Sequence, residues 1–156
     1  MVVAPEAVIR RAVPDDANAV AEVFFAARAD VLPNLPQLHT EAETRAYLAQ
    51  VLASSDNHVW VAADGGKIVG FLSLREAWVD HLYLRPGWYD RQIGTQLLDM
   101  AKQERPDGLR LYCFQCNARA RAFYEARGFV MQRMTDGADN EEREPDIEYA
   151  WNCDPR

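Results

Sequence analysis

The chain has 156 residues, of which 49% are hydrophobic and 26% charged, and its net charge is −7 at pH 7. This length suits one domain, and this composition is typical of a globular protein rather than a disordered one. The acidic balance argues against a nucleic-acid-binding surface and mildly favours cationic partners, although a solvated acidic surface is the commoner explanation. Because no apolar run approaches the roughly 20 residues of a membrane span and no leader pattern opens the chain, we expect a cytoplasmic protein without a membrane partner.

The cysteines do not indicate a disulfide framework, since the chain has three, an odd number. Cys113 and Cys116 form a C-x-x-C within the apolar run LRLYCFQC, where a spacing of three predicts opposite faces of a strand. A second pair with zinc spacing is absent from the sequence, so we expect no metal cofactor.

The first third of the chain predicts one strand followed by two helices. The run VIRRAV at 8–13 has the composition of a short strand, and a Pro-Asp-Asp start then opens an amphipathic helix over 16–29. Two prolines interrupt the helical pattern that follows. Thr40 and Glu43 then form a capping box, which predicts a second helix that ends near Ser54.

The rest of the chain alternates between strand and helix patterns. Runs at 58–64 and 67–74 are joined by Asp64-Gly65-Gly66, which has the composition of a tight hairpin turn. Gly128 is placed where a left-handed residue ends a helix. The remaining predicted elements are strands at 78–84, 108–114, 129–134 and 146–152 and helices at 93–104 and 118–127. This order predicts an α/β fold with a mixed sheet.

The stretch HLYLRPGWYDRQIGTQLL is a junction between a strand that ends at Leu84 and a helix that begins near Gly94. Such a helix start leaves several backbone amides without partners, and these amides together with the helix dipole favour an anion, typically a phosphate. The pattern has low specificity by itself, because every α/β protein has junctions of this kind.

A second segment, CNARARAFYEARGF, places Asn117 at the start of the predicted helix at 118–127 and Tyr124 seven residues later. Seven residues of helix correspond to about 700° of rotation and about 10.5 Å, so both side chains point from nearly one face. Alternatively, Tyr124 is a core aromatic residue whose hydroxyl reaches the rim of the core.

Together these segments resemble the GNAT superfamily of N-acetyltransferases, which bind acetyl-CoA. The resemblance covers nearly the whole chain in family order, in the segments IRRAVPDDANAVAEVF, GKIVGFLSL, HLYLRPGWYDRQIGTQLL and NARARAFYEARGF. It implies a single domain over 1–156, with a mixed, mostly antiparallel central sheet of about six or seven strands and about four helices on both faces. It is also compatible with a homodimer.

The resemblance also implies a cofactor site. In that family the amides of a Q/R-x-x-G-x-G/A loop bind the pyrophosphate of CoA, and the backbone of the preceding strand pairs with pantetheine. The matching positions, with the two residues of the later helix, are Leu82, Leu84, Tyr89, Asp90, Arg91, Gln92, Ile93, Gly94, Thr95, Asn117 and Tyr124. The chain departs from the pattern at Tyr89, which replaces the usual Gln or Arg, and at Gln92, which replaces the first Gly. Glycine allows closer approach and freer φ than glutamine.

The family chemistry is direct transfer of the acetyl group from acetyl-CoA to a primary amine, here of a small molecule or a peptide. Tyr124 matches the family's usual general acid for the departing thiolate. The amine must lose a proton to a base, for which Glu76, Asp80 and His81 are candidates and the last two are preferred. His81 has the best-suited ordinary pKa, although a lone strand histidine is also compatible with simple packing.

The acceptor site is the least defined part of this interpretation. The acidic segment TDGADNEEREPD, with Glu141 and Glu142, is either an attractant for a cationic acceptor or a solvated loop. In the first case, Phe25 and His39 would form the opposite wall of the site. A second functional hypothesis, a non-catalytic sensor or partner protein that binds acyl-CoA, rests on the two altered loop positions.

Overall fold

The computed structural model describes residues 7–89 and 91–152. Within these residues the chain forms one sheet, four α-helices and a 3-10 turn at Pro14–Asp16. In chain order the elements are β1 (Val8–Arg11), α1 (Ala17–Val31), α2 (Glu41–Ala53), β2 (Asn57–Asp64), β3 (Lys67–Arg75), β4 (Trp78–Leu84), α3 (Ile93–Glu104), β5 (Leu109–Phe114), α4 (Ala118–Ala126), β6 (Val130–Met134) and β7 (Asp146–Trp151).

The sheet has seven strands in the order β1-β2-β3-β4-β5-β7-β6. Neighbouring strands pair antiparallel except β4 and β5, which are parallel. The predicted mixed, mostly antiparallel sheet with four helices is therefore confirmed. Helix α1 runs to Val31, two residues beyond the predicted end, because a proline at 33 restricts only Leu32, the residue directly before it.

Local sequence signals set several element ends as predicted. Gly65 and Gly66 have φ of 55° and 86°, so the β2–β3 hairpin closes with two left-handed residues. The Glu43 amide donates to Thr40 Oγ1 at 3.1 Å, and the Thr40 amide donates to Glu43 Oε1 at 2.9 Å, which completes the capping box of α2. Gly128 has a φ of 92° after the end of α4.

The helices cover the sheet in two layers, each with its own core. Helices α1 and α2 pack on one face over Val59 and Val61 of β2 and over Ile68 and Phe71 of β3, where an irregularity of the β2–β3 pairing interrupts the strict alternation. Helices α3 and α4 pack on the opposite face, over a core that includes Leu72, Leu74, Leu111, Ile147 and Tyr149. This alternation is the period-two pattern of strands buried on both faces.

The sheet opens between β4 and β5. The two strands pair at Trp78 and Arg110, where the Arg110 amide donates to Ala77 O at 2.8 Å. The described residues form no further pair between them, although β4 continues to Leu84 and β5 to Phe114. β5 instead pairs along its length with β7. The centre of the sheet therefore contains a gap with unpaired strand edges.

The prediction that Cys113 and Cys116 lie on opposite faces of one strand is wrong, because β5 ends at Phe114 and Cys116 lies in the turn that follows. Cys113 is buried and Cys116 is exposed, and both are free thiols. Burial raises the pKa of the Cys113 thiol to about 12, so it stays protonated at neutral pH.

Two further observations concern residues 7–89 and 91–152 as a whole. No three His, Cys, Asp or Glu side chains there are grouped so that they could hold a metal ion. None of the helices there combines the length and the apolar character needed to cross a membrane.

Candidate active site

A cleft of about 660 Å³ lies where β4 and β5 separate, between the start of α3 and one face of α4. It is lined by eight of the residues that the sequence predicts for the cofactor: Leu82, Leu84, Tyr89, Gln92, Gly94, Thr95, Asn117 and Tyr124. The predicted common face of Asn117 and Tyr124 is confirmed, since both line this cleft. The tertiary fold thus brings a strand, a loop and two helices to one cavity.

The first turn of α3 reaches the cleft with its backbone amides available. Its N-cap, Gln92, has a φ of 64° and its side chain makes no capping bond. The first amides of an α-helix have no acceptor within the helix, and Gly94 and Thr95 of this turn line the cleft. The arrangement is suited to an anion, because these donors and the positive end of the helix dipole coincide.

The residue of this loop that adopts a left-handed backbone conformation is Gln92 and not Gly94. Gly94 is not among the described residues with positive φ, since it lies within the first turn of α3. Its lack of a side chain serves packing, because a Cβ there would lie 3.1 Å from Phe123 Cζ. Glutamine at 92 adopts the left-handed conformation that glycine takes at lower cost, so the loop keeps its shape despite the substitution.

Two arginines of the α4 region also line the cleft. Arg127 Nε donates to Thr95 Oγ1 at 2.8 Å, and its guanidinium lies 3.8 Å from the centre of the Phe123 ring. Arg119 lies over the Tyr89 ring at 4.5 Å. Sequence analysis missed both residues, although the basic character of NARARAFYEARG was a visible signal. They place positive charge beside the start of α3 in a chain that is acidic overall.

Tyr124 lies in the wall of the cleft and is 8% exposed. Its ring packs edge-on against Phe123 and Phe129, with centroid distances of 5.3 and 5.5 Å. No hydrogen bond joins its hydroxyl to another described residue, and the hydroxyl is not among the fully buried polar atoms that lack a partner, so it keeps access to the cleft. Burial raises the pKa of Tyr124, so the hydroxyl remains a hydrogen-bond donor at neutral pH.

Two other predicted loop residues, Arg91 and Ile93, do not line the cavity. Ile93 is 3% exposed and its side chain belongs to the core, so only its backbone is available to a ligand. The Arg91 guanidinium lies over the Trp88 ring at 4.7 Å. The Tyr89 hydroxyl donates to Asp30 Oδ2 at 3.2 Å, which ties the loop to α1. Asp90 lies outside the described residues.

The candidate bases do not line the cleft themselves. Asp80 accepts from Arg75 Nε at 3.0 Å, so its carboxylate is already paired. Glu76 lies in the β3–β4 turn, just before the first residue of β4, whereas the cleft lies at the other end of this strand. His81 is one step along the same face of β4 from Tyr83, which lines the cleft, and the two ring centroids are 6.1 Å apart. Of the three, His81 is therefore placed closest to the cavity.

His81 is only partly exposed and is surrounded by aromatic rings. The Phe24 and Phe71 ring centroids lie 6.2 and 6.1 Å from its own. This desolvation lowers the pKa of His81 to about 4, so the imidazole is neutral at pH 7. Its Nε2 lies 2.9 Å from the hydroxyl of Tyr47 on α2, a neighbour that sequence analysis did not identify.

The acidic segment contacts the predicted opposite wall, but its carboxylates are paired. His39 Nε2 donates to Glu141 Oε2 at 2.9 Å, and Arg28 lies 3.6 Å from Glu142, whose side chain is 16% exposed. Phe25 packs instead beneath Arg45, with 5.3 Å between the guanidinium and the ring centre. The segment is therefore anchored to α1 and to the loop before α2, and is not simply solvated.

The comparisons with known proteins agree with this geometry. The family model described as an acetyltransferase (GNAT) domain matches residues 55–131, the range that contains β4, α3, β5 and α4. The peptidyl-lysine N-acetyltransferase YiaC of Escherichia coli (strain K12) is 35% identical over 79 residues, which are 50% of this chain and 52% of that protein. The chain thus matches about half the length of this curated relative.

Two solved structures share the fold across nearly the whole chain. Apo YjaB of Escherichia coli has a TM-score of 0.76 at 21% identity, with 99% of this chain and 100% of that chain covered. The PaiA N-acetyltransferase of Thermoplasma acidophilum, in complex with coenzyme A, has a TM-score of 0.73 at 18% identity, with 94% and 99% covered. These structures, each under 25% identical, show the fold alone, whereas the domain match shows that residues 55–131 belong to the GNAT acetyltransferase family.

Proposed function

We propose that the chain is an N-acetyltransferase that moves an acetyl group from acetyl-CoA to a primary amine of a small molecule or peptide, by direct transfer. The observation that carries the proposal is Tyr124, whose largely buried side chain lines the cleft beside the start of α3 and whose hydroxyl bonds to none of the described residues. A thioester in the cleft would supply the missing partner of this hydroxyl.

The pyrophosphate of CoA binds, in this proposal, to the amides at the start of α3. The side chains of Arg119 and Arg127, which line the same cavity, add charge complementarity. This proposal explains why cations gather at one site of a chain with a net charge of −7. Thr95, held by Arg127, contributes a hydroxyl at the same place.

Pantetheine then runs along the open edge of β4. The Arg85 amide donates to Val69 O at 2.8 Å, on the β3 side of the strand. Successive amides of a strand point to opposite edges, so those of Leu82 and Leu84 point toward β5, with which the strand forms no pair at these positions. A pantetheine chain can therefore pair with this edge as an added strand would.

The reaction needs two proton transfers, and a different residue near the gap carries out each of them. When the amine attacks the thioester carbonyl, the C–N bond forms and the C–S bond breaks. Tyr124 donates its hydroxyl hydrogen to the departing sulfur, and the neutral His81 receives the proton that the amine loses. Asp80 is a weaker candidate base, because its carboxylate is already engaged by the guanidinium of Arg75 and does not line the cleft.

A peptide amine is one class of acceptor that the relatives support, since YiaC is named a peptidyl-lysine N-acetyltransferase. The approach to the cleft passes the wall formed by His39 and Glu141. In this proposal the paired Glu141 and Glu142 hold that wall in place, and any attraction for a cationic acceptor comes from the net negative charge of the segment.

The alternative, a sensor that binds acyl-CoA without turnover, rests on glutamine at 92. Because Gln92 already adopts the left-handed conformation at the start of α3, the loop geometry gives no reason to expect loss of catalysis. Release of free thiol from acetyl-CoA across a panel of amines and peptides separates the two hypotheses. Tight CoA binding without turnover for any acceptor would favour the sensor.

Tyr124→Phe tests the chemistry, since it retains the aromatic packing and removes only the hydroxyl. We expect the rate of acetyl transfer in a single turnover to fall by about 10²-fold, as for loss of one donor to a developing anion. CoA affinity and the thermal midpoint should hold. Tyr112→Phe is the control, because Tyr112 is an exposed tyrosine of β5 that does not line the cleft. A loss smaller than about fivefold would return Tyr124 to the role of a core aromatic.

A further inference from the structure

We propose that Tyr47 carries the proton between His81 and the acceptor side of the site, so that His81 acts as a base through a tyrosine rather than directly. This inference rests on the proposed acetyl transfer and adds a residue to it. The observation that carries it is the contact between the Tyr47 hydroxyl and His81 Nε2 at 2.9 Å, between residues 34 positions apart in the chain.

Tyr47 lies between the aromatic surroundings of His81 and the solvent. It belongs to α2 and is 49% exposed, whereas the His81 ring is enclosed by Phe24, Phe71 and Tyr83. The two rings meet edge-on, with centroids 5.8 Å apart. The phenylalanine rings around His81 have no group that exchanges protons, so the Tyr47 hydroxyl is the proton-exchanging group in contact with Nε2.

Tyr47 donates to His81 rather than accepting from it. Burial, and then the charges of Asp80 and Glu141, raise the pKa of Tyr47, so its hydroxyl stays protonated and donates to Nε2 at neutral pH. In this proposal the amine meets the Tyr47 hydroxyl first, because Tyr47 is 49% exposed whereas the imidazole lies among the rings of Phe24 and Phe71.

Several other polar groups face His81 from the packed elements. They are Arg28 from α1, Ser73 and Arg75 from β3, and Asp80 and Tyr83 from β4. Asp80 and Arg75 neutralise each other. Ser73 lies opposite His81 in the strand register and is buried with its Oγ lacking a hydrogen-bond partner in the described part of the chain. Tyr47 is the group that the structure places in hydrogen-bonding contact with the His81 ring.

The proton path is balanced and resets itself. As the amine N–H bond breaks, its proton goes to Tyr47 Oη while the Tyr47 O–H proton passes to His81 Nε2, which makes an imidazolium. The imidazolium later returns the Nε2 proton to Tyr47, and Tyr47 Oη releases a proton to water. Nδ1 keeps its hydrogen throughout, so the ring needs no rotation between turnovers.

Tyr47→Phe is the test, with two independent readouts. In nitrogen-15 spectra, wild-type His81 should carry its hydrogen on Nδ1, because Tyr47 donates to Nε2, and Tyr47→Phe should lose this preference. The kcat for acetyl transfer should fall by about tenfold or more while the KM for acetyl-CoA holds within about twofold. Tyr112→Phe is the matched control, since Tyr112 is also 49% exposed and lies on β5, away from His81. Its kcat should hold.

A double variant separates a shared proton path from two independent effects. If Tyr47 acts through His81, Tyr47→Phe combined with His81→Asn should lose no more activity than His81→Asn alone. Additive losses, a Tyr47→Phe kcat within about twofold of wild type, or a wild-type His81 with its hydrogen on Nε2 would each overturn the proposal. A wild-type protein without acetyl transfer would instead refute the proposed function, and the spectra would still decide whether Tyr47 donates to His81.

Discussion

Acidification should destabilise this fold through His81, because the buried imidazole must remain neutral. Its pKa in the folded chain is about 4, against an ordinary value of 6.5. The unfolded chain therefore binds a proton at a pH where the folded chain does not. The contribution of His81 to stability is therefore fully present above the pKa of the unfolded chain and is lost as the pH falls from 6.5 toward 4.

The magnitude follows from the same two values. The difference between a pKa of 6.5 in the unfolded chain and about 4 in the folded chain corresponds to roughly 3 kcal/mol in the free energy of unfolding, since one pKa unit is about 1.4 kcal/mol. Between about pH 7 and pH 5 the His81 contribution should reduce the free energy of unfolding by roughly 2 kcal/mol. This is a large share of the marginal stability of a domain of this size.

Urea unfolding of the wild type and His81→Asn at the two pH values measures this contribution. Asparagine is neutral at both, so the variant should lose less stability on acidification by roughly 2 kcal/mol. His39→Asn is the control, because the contribution of His39 should depend on pH in the opposite direction. The bond to Glu141 raises the pKa of the exposed His39. The stabilisation from this bond is therefore present at low pH and is lost as the pH rises through that pKa. If wild type and His81→Asn lose the same stability within about 0.5 kcal/mol, His81 is not desolvated as we infer.

Two loop positions give further predictions. Gln92→Gly should raise the free energy of unfolding in urea by about 0.5 to 1 kcal/mol. Glycine removes the cost of the left-handed φ of 64°, and the greater entropy of glycine in the unfolded chain offsets only part of this gain. A loss of stability would contradict the prediction. Gly94→Val should lower it by about 1 to 3 kcal/mol, because the new side chain overlaps Phe123. The same variant should weaken CoA binding in calorimetry, and an affinity unchanged within about twofold would mean that CoA binds elsewhere.

The sequence by itself determined the local elements and several of the residues that line the cleft. The capping box at Thr40, the two-glycine turn before β3 and the Gly128 helix end each depend on residues within a few positions of one another. For the same reason, the strand-to-helix junction and the common face of Asn117 and Tyr124 could be predicted. Neighbours in sequence decide such features because turns and helix ends close over three to five residues.

Only the tertiary structure decided which distant side chains meet. Arg127 reaches Thr95 across 32 positions, Tyr47 reaches His81 across 34, and His39 reaches Glu141 across 102. The strand order and the separation of β4 from β5 likewise bring residues of α1, β4, α3 and α4 around one gap. Periodicity and capping signals describe one element at a time, so they contain no information about which faces of different elements come together.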